Sequence, residues 1–200
     1  MFTEWSDLKK PNAGAMPGIK NIRLEDGKPV TLRFVTKPKK ILRYWIDGKS
    51  AICADRENCT VHKKYGKEPE VRYVVQAIDR ADGKLGILEC SPPVLKPVST
   101  WATARRRDPD DPKQGIDFEI KRTGQKKLTR YEVVPLDPTP LTDAEITMVE
   151  GKYDLEKLFK PTPDAEIEVK LGLVAGSAPA ATVTTATAGT TAVNNLDIPF

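Results

Sequence analysis

The sequence predicts a mainly β protein: a small antiparallel Greek-key barrel, closed or partly open, with one intervening helix and a C-terminal tail. Three observations carry this. Short segments alternate apolar and polar residues with the period of two that marks a half-buried strand. Turn signals such as Asp47-Gly48 and residues 81–84 separate them. The regular alternation of strands and helices that builds a parallel sheet is missing.

Taken in order, residues 1–18 mix Pro, Gly and Ala with little periodicity and read as an arm, with Phe2 and Trp5 as its anchors. β signal begins at Ile19 with IKNIRL, turns at 25–28, and resumes as PVTLRFV, where Val30, Leu32 and Phe34 alternate with Thr31 and Arg33. ILRYWI (41–46) is a third strand, with Leu42, Tyr44 and Ile46 on one face and Ile41, Arg43 and Trp45 on the other. After the Asp47-Gly48 turn, the polar, cysteine-bearing stretch to Pro69 reads as a loop or small lobe. Residues 71–80 and 85–91 form a second hairpin, and a helix is placed at about 97–106, its start blurred by Pro97.

The most informative stretch is GIDFEIKRTGQKKLTRYEVVP (115–135), two alternating strands joined by a basic turn. Phe118 and Tyr131 fall on its apolar face, while Lys121, Arg122, Lys126, Lys127 and Arg130 surround a turn in which Gly124 is free to adopt positive φ. Beyond Pro135 two short helices are predicted, the first opened by a Thr142/Glu145 capping box. EIEVKLGL (166–173) reads as a last strand or an extended segment, and 175–193 has the Ala/Thr/Gly composition of a linker. The predicted organisation is an arm (1–18), a core (19–135), a helical or extended extension (136–174), and a linker with a terminal tip (175–200). A small β barrel with an intervening helix is the arrangement of the OB-fold, whose face and loops bind oligonucleotides.

Charge is divided unevenly. Residues 1–135 hold 28 of the 32 Lys and Arg and 18 of the 28 Asp and Glu, whereas 136–200 hold 4 and 10. The body is basic and the tail acidic, so the body is expected to meet a polyanion. No apolar run approaches the roughly 18–20 residues that span a bilayer, and the N-terminus has no secretory-signal core; an intracellular, non-membrane protein is expected.

Catalytic signatures are lacking: His62 is the single histidine, no phosphate-cradling Gly-rich loop or nucleophile elbow occurs, and Asp108–Asp111 has the spacing of a solvated turn. A binding protein is expected, not an enzyme. Cys59 and His62 have the spacing of a chelating pair, with Cys53 six residues earlier and Cys90 as a distant fourth donor. A structural zinc and a set of reduced thiols both fit, and no cofactor is required.

Cations interleave with aromatics: Arg43 with Trp45; Lys63 and Lys64 with Tyr65; Arg72 with Tyr73; Trp101 with Arg105, Arg106 and Arg107; and the hairpin cations with Tyr131. Sequence-independent binders of single strands need this pairing, because cations follow phosphates while π-faces stack bases. The chain ends in Asp197, Ile198, Pro199 and Phe200, an apolar tip beside negative charge, suited to docking on partner proteins.

Asp-Ile-Pro-Phe at the terminus resembles the tip of single-stranded DNA-binding proteins of bacteria and phages. The ordered set Cys59-x-x-His62, VRYVVQAIDRADGKLGILECS and IDFEIKRTGQKKLTRYEVVP is similar to their tailed-phage members. The resemblance covers about 19–135 and the last five residues. It implies an OB-fold coating single-stranded DNA in phage replication, recombination and repair, in the cytoplasm of a bacterial host. It also implies recruitment of polymerase, helicase or primase through the tip. His62 stands where the family has a second cysteine, and Asn194 and Asn195 stand where carboxylates are usual. The alternative is a protein–protein adaptor on an OB-like scaffold.

Overall fold

The computed structural model describes residues 19–125, 128–151 and 153–173. The arm, Lys126, Lys127, the linker and the tip Asp197–Phe200 therefore lie outside the described residues.

Eight strands form one mixed sheet: β1 (Lys20–Ile22), β2 (Pro29–Phe34), β3 (Lys39–Ile46), β4 (Lys49–Cys53), β5 (Glu70–Asp79), β6 (Lys84–Cys90), β7 (Ile116–Thr123) and β8 (Arg130–Pro138). The order is β1-β6-β5-β2-β7-β8, and the β3–β4 hairpin branches from β5. β5 is long enough to serve two partners on one edge, pairing β3 through Glu70–Val74 and β2 through Ala77–Asp79. β1 runs parallel to β6, and the other named pairings are antiparallel. Among the described residues no pairing joins β1 to β8, so the sheet is open and does not close into a barrel.

The pleat of β5 explains the layers. Val75 and Ala77 face a core containing Leu32, Phe34 and Phe118, which helix α2 (Pro92–Arg105) covers with Val94, Leu95 and Val98. Val74 and Ile78 face the other way, toward Phe159 and Leu141 of the C-terminal extension. Each such buried aliphatic or aromatic side chain contributes about 1.5–3 kcal/mol. A strand apolar on both faces needs a cover on each side, and the extension supplies the second.

The extension is fastened by polar contacts as well. Buried Gln76 donates to the Tyr153 carbonyl at 2.8 Å and accepts from its N–H at 2.7 Å, acting as a substitute peptide group. Arg80 grips Asp117 through two hydrogen bonds of 2.7 and 3.0 Å and also pairs with Glu145 at the start of α3 (Asp143–Glu150). Fully buried Arg33 donates to the carbonyls of Thr139 (2.8 Å) and Asp111 (3.1 Å). The predicted Thr142/Glu145 capping box is present.

Several local expectations are corrected. The cysteine stretch holds β4 and a short helix α1 (Thr60–Tyr65). α2 begins at Pro92, before Pro97: Ser91 is the N-cap, and Pro92 and Pro93 occupy first-turn positions whose N–H groups need no partner. α4 (Leu155–Leu158) is the second short helix, but the expected last strand is α5 (Asp164–Lys170). Ile167 and the C-cap residue Leu171, one helical turn apart, bury against Tyr44 and Val61, while Val169, which a strand would put on the same face, is exposed.

Candidate nucleic-acid interface

Placement of the site starts at a turn. Asp47 (φ 48°) and Gly48 (φ 77°) both take positive φ, as a two-residue type I′ connection requires, and the register that follows sets Trp45 opposite Ser50 and Arg43 opposite Ile52. Tyr44, on the other face, buries with Cys53 and Cys59. Trp45 is left 46% exposed, while Arg43 is only 8% exposed and holds its guanidinium 5.4 Å from the Trp45 ring centre. This cation–π contact fixes the indole at the mouth of a cleft.

The cleft, about 660 Å³, lies between the β3–β4 hairpin, β1 and residues 158–160. Its described lining includes five cations, Arg23, Arg43, Lys49, Lys160 and Lys170, and one acid, Glu89. A second cleft of about 400 Å³ shares Ile22, Arg23 and Glu89 with the first and adds Arg72, Arg122 and Tyr131. Together they make a basic track from Trp45 to the β7–β8 hairpin. Gly86 allows it to form: a Cβ there would lie 2.9 Å from Ile22 Cγ1 and 3.0 Å from the Lys20 carbonyl, so a larger residue would push β1, and with it Arg23, off the sheet.

Glu89 sits at the junction. Its Oε2 lies 2.9 Å from Arg43 Nη2 as an ion pair, and its Oε1 lies 3.5 Å from Arg72 Nε. Arg43 Nη1 donates to Ser50 Oγ at 3.2 Å. Burial lowers the Arg43 pKa, Glu89 opposes that, and neighbouring Arg72 adds to it.

The track gathers Arg43, Trp45, Arg72 and Arg122 from the predicted residues. Others go elsewhere. Trp101, expected to stack bases, packs edge-on against Phe118 at 5.8 Å as part of the core. Tyr73 also packs on that core and lines a separate groove along α2. Lys64 and Tyr65 are engaged by Glu168 of α5 at 2.9 and 2.8 Å, while Lys63 lies in the last turn of the same short helix. Arg105, Arg106 and Arg107 are exposed at the end of α2; Lys121 is half-buried opposite Glu132, and Arg130 is exposed opposite Thr123. None of these lines either cleft. Sequence does not single out Arg23, Lys49, Lys160 and Lys170: among them Lys160 alone has an adjacent aromatic, Phe159, which is buried, and only the fold brings the four to Trp45.

The four candidate metal ligands are not brought together. Cys53 and Cys59 touch in one apolar cluster, where burial first and then the neighbouring Cys59 push the Cys53 thiol up to about 12. Cys90 belongs to the α2 core on the other side of β6, its thiol also raised by burial to about 12. His62 Nδ1 lies 3.3 Å from the Lys67 carbonyl and 3.5 Å from Glu68. Among the described residues no three His, Cys, Asp or Glu side chains gather to hold a metal. Asp111 Oδ1 is occupied by the backbone N–H groups of Lys113 and Gln114, as a turn residue's would be. No described helix is long and apolar enough to cross a membrane.

Compared with known proteins, the sequence matches no family model and no curated protein.

Proposed function

We propose that this chain binds single-stranded DNA without regard to sequence, in an OB-like manner and without catalysis, coating exposed strands during phage replication, recombination and repair. The observation that carries the reading is the basic track with Trp45 at its mouth: cations spaced along a groove beside an exposed, propped indole. Arg23, Lys49, Arg72, Arg122, Lys160 and Lys170 follow the phosphates, and Trp45 stacks a base, with Tyr131 a second π-face at the far end. The tip Asp197–Phe200 recruits replication proteins.

Titration with an oligothymidylate, followed by tryptophan fluorescence at several salt concentrations, tests this. Counterion release gives a log–log slope of about −0.7 per neutralised phosphate on single strands. With five to seven groove cations engaged, a slope of about −3 to −5 is expected, a loss of about a hundredfold or more over a fourfold rise in salt. Equal affinity for duplex of the same length, or no binding, overturns the reading.

A further inference from the structure

We propose that Glu89 is a built-in placeholder for a nucleic-acid phosphate: it holds Arg43 and Arg72 in the free protein and yields them to the backbone when a strand enters. The proposal rests on the polyanion reading of the groove. Three buried polar atoms have no hydrogen-bond partner among the described residues at this one point, Arg43 Nε, Arg72 Nε and Glu89 Oε1. Arg72 and Glu89 are close enough to attract, yet at 3.5 Å they do not form a hydrogen bond. Two arginines thus share one carboxylate that satisfies neither fully, an arrangement whose desolvation cost is only partly offset.

A phosphodiester carries the same single charge as Glu89 and offers two free oxygens to the same guanidinium fork. Exchange is feasible from the side of Glu89 as well, because its side chain is 24% exposed and rehydrates on release, whereas Arg43 at 9% needs an anion to replace the one it loses. The exchange also couples phosphate capture to stacking. Arg43 lies over the Trp45 ring, so a guanidinium that pivots to a phosphate uncovers indole surface for a base. Ser50, holding Nη1, is the pivot point.

The test uses the full chain and an oligothymidylate. Glu89→Gln keeps the shape and removes the charge. The expected result is a lower melting temperature for the free protein, affinity raised about five- to tenfold at low salt, and a salt slope steeper by about 0.7, one more phosphate neutralised. A stabilising contact with no part in binding would lower the melting temperature alone. Weaker or unchanged binding by Glu89→Gln, with wild-type binding intact, overturns the placeholder but leaves the groove standing; a wild-type protein that does not bind overturns the groove itself. A second measurement needs no substitution. In wild-type protein the Arg43 and Arg72 Nε–H resonances and the Glu89 carboxyl carbon are expected to shift together on adding the oligonucleotide. A Glu89 carbon that stays in place while the strand binds overturns the exchange.

Discussion

Trp45 stands beside a type I′ turn with half its surface open, and Trp101 lies edge-on to Phe118 beneath the sheet. Trp45→Ala is expected to weaken oligothymidylate binding by about 1–3 kcal/mol, the worth of one stacked base, with the melting temperature nearly unchanged. Trp101→Ala is expected to cost about 3 kcal/mol of stability, as truncations of packed aromatics do, while the folded fraction binds normally. Denaturant unfolding and fluorescence titration of both variants separate the two roles; a binding loss confined to Trp101→Ala would reverse the assignment. The sequence carried a sign of the difference. Val94, Val98 and Trp101 are spaced as one helical face once the helix starts at its prolines, while the arginines at 105–107 give Trp101 the local pattern of a cation–aromatic pair. For Trp45, alternation along 41–46 gave the face correctly. That Arg43 would be buried beneath it depended on Glu89, 46 positions away, and no local pattern reports such a pair.

At the scale of elements, α5 shows why a strand was expected where a helix formed. Ile167, Val169 and Leu171 alternate as a strand would, but only Ile167 and Leu171 are buried, and Val169 is 47% exposed. The helix is positioned by contacts with α1: Asp164 accepts from the Thr60 N–H at 3.0 Å and from its hydroxyl, and Glu168 takes Lys64 and Tyr65. These bonds hold the carboxyls of Asp164 and Glu168 below their ordinary values of 3.8 and 4.5. For Glu145, burial acts in the opposite direction, but the Thr142 contacts and Arg80 prevail and its pKa is also lowered. A folded-state pKa below the unfolded one gives stability that is present above the unfolded value and is lost as pH falls through the folded value. Acidification from pH 5 toward pH 3 is therefore expected to loosen α3 and α5 before the β5–β6 hairpin. Hydrogen exchange read element by element checks this; simultaneous opening of all elements would contradict it. The hairpins themselves were legible, since Asp47-Gly48, Gly83 and Gly124 each take the positive φ that their turns require.

For the molecule as a whole, the division of charge takes a more specific form than a basic body with an acidic tail. The extension lays acidic side chains on α1 and on Arg80, and it also contributes Lys160 and Lys170 to the cleft. Most strands before residue 138 and the existence of the intervening helix could be read from periodicity, whereas β4, the helix's start at Pro92 and the helical state of α5 could not. The parallel seat of β1 on β6, the branching at β5 and the open sheet could not, because each is set by pairing between residues distant in sequence. The groove is a product of those long-range pairings, so its cations come from five separate stretches of the chain. Its use as a path for single-stranded DNA is the central claim, and cross-linking tests it most directly. An oligothymidylate carrying 5-iodouracil is bound to the full chain, irradiated, and the adducts are mapped by mass spectrometry. Adducts at Trp45, with Tyr131 at the far end of the track, are the predicted result. Adducts confined to Tyr65, Tyr73 or Trp101, with Trp45 unmodified, would contradict it.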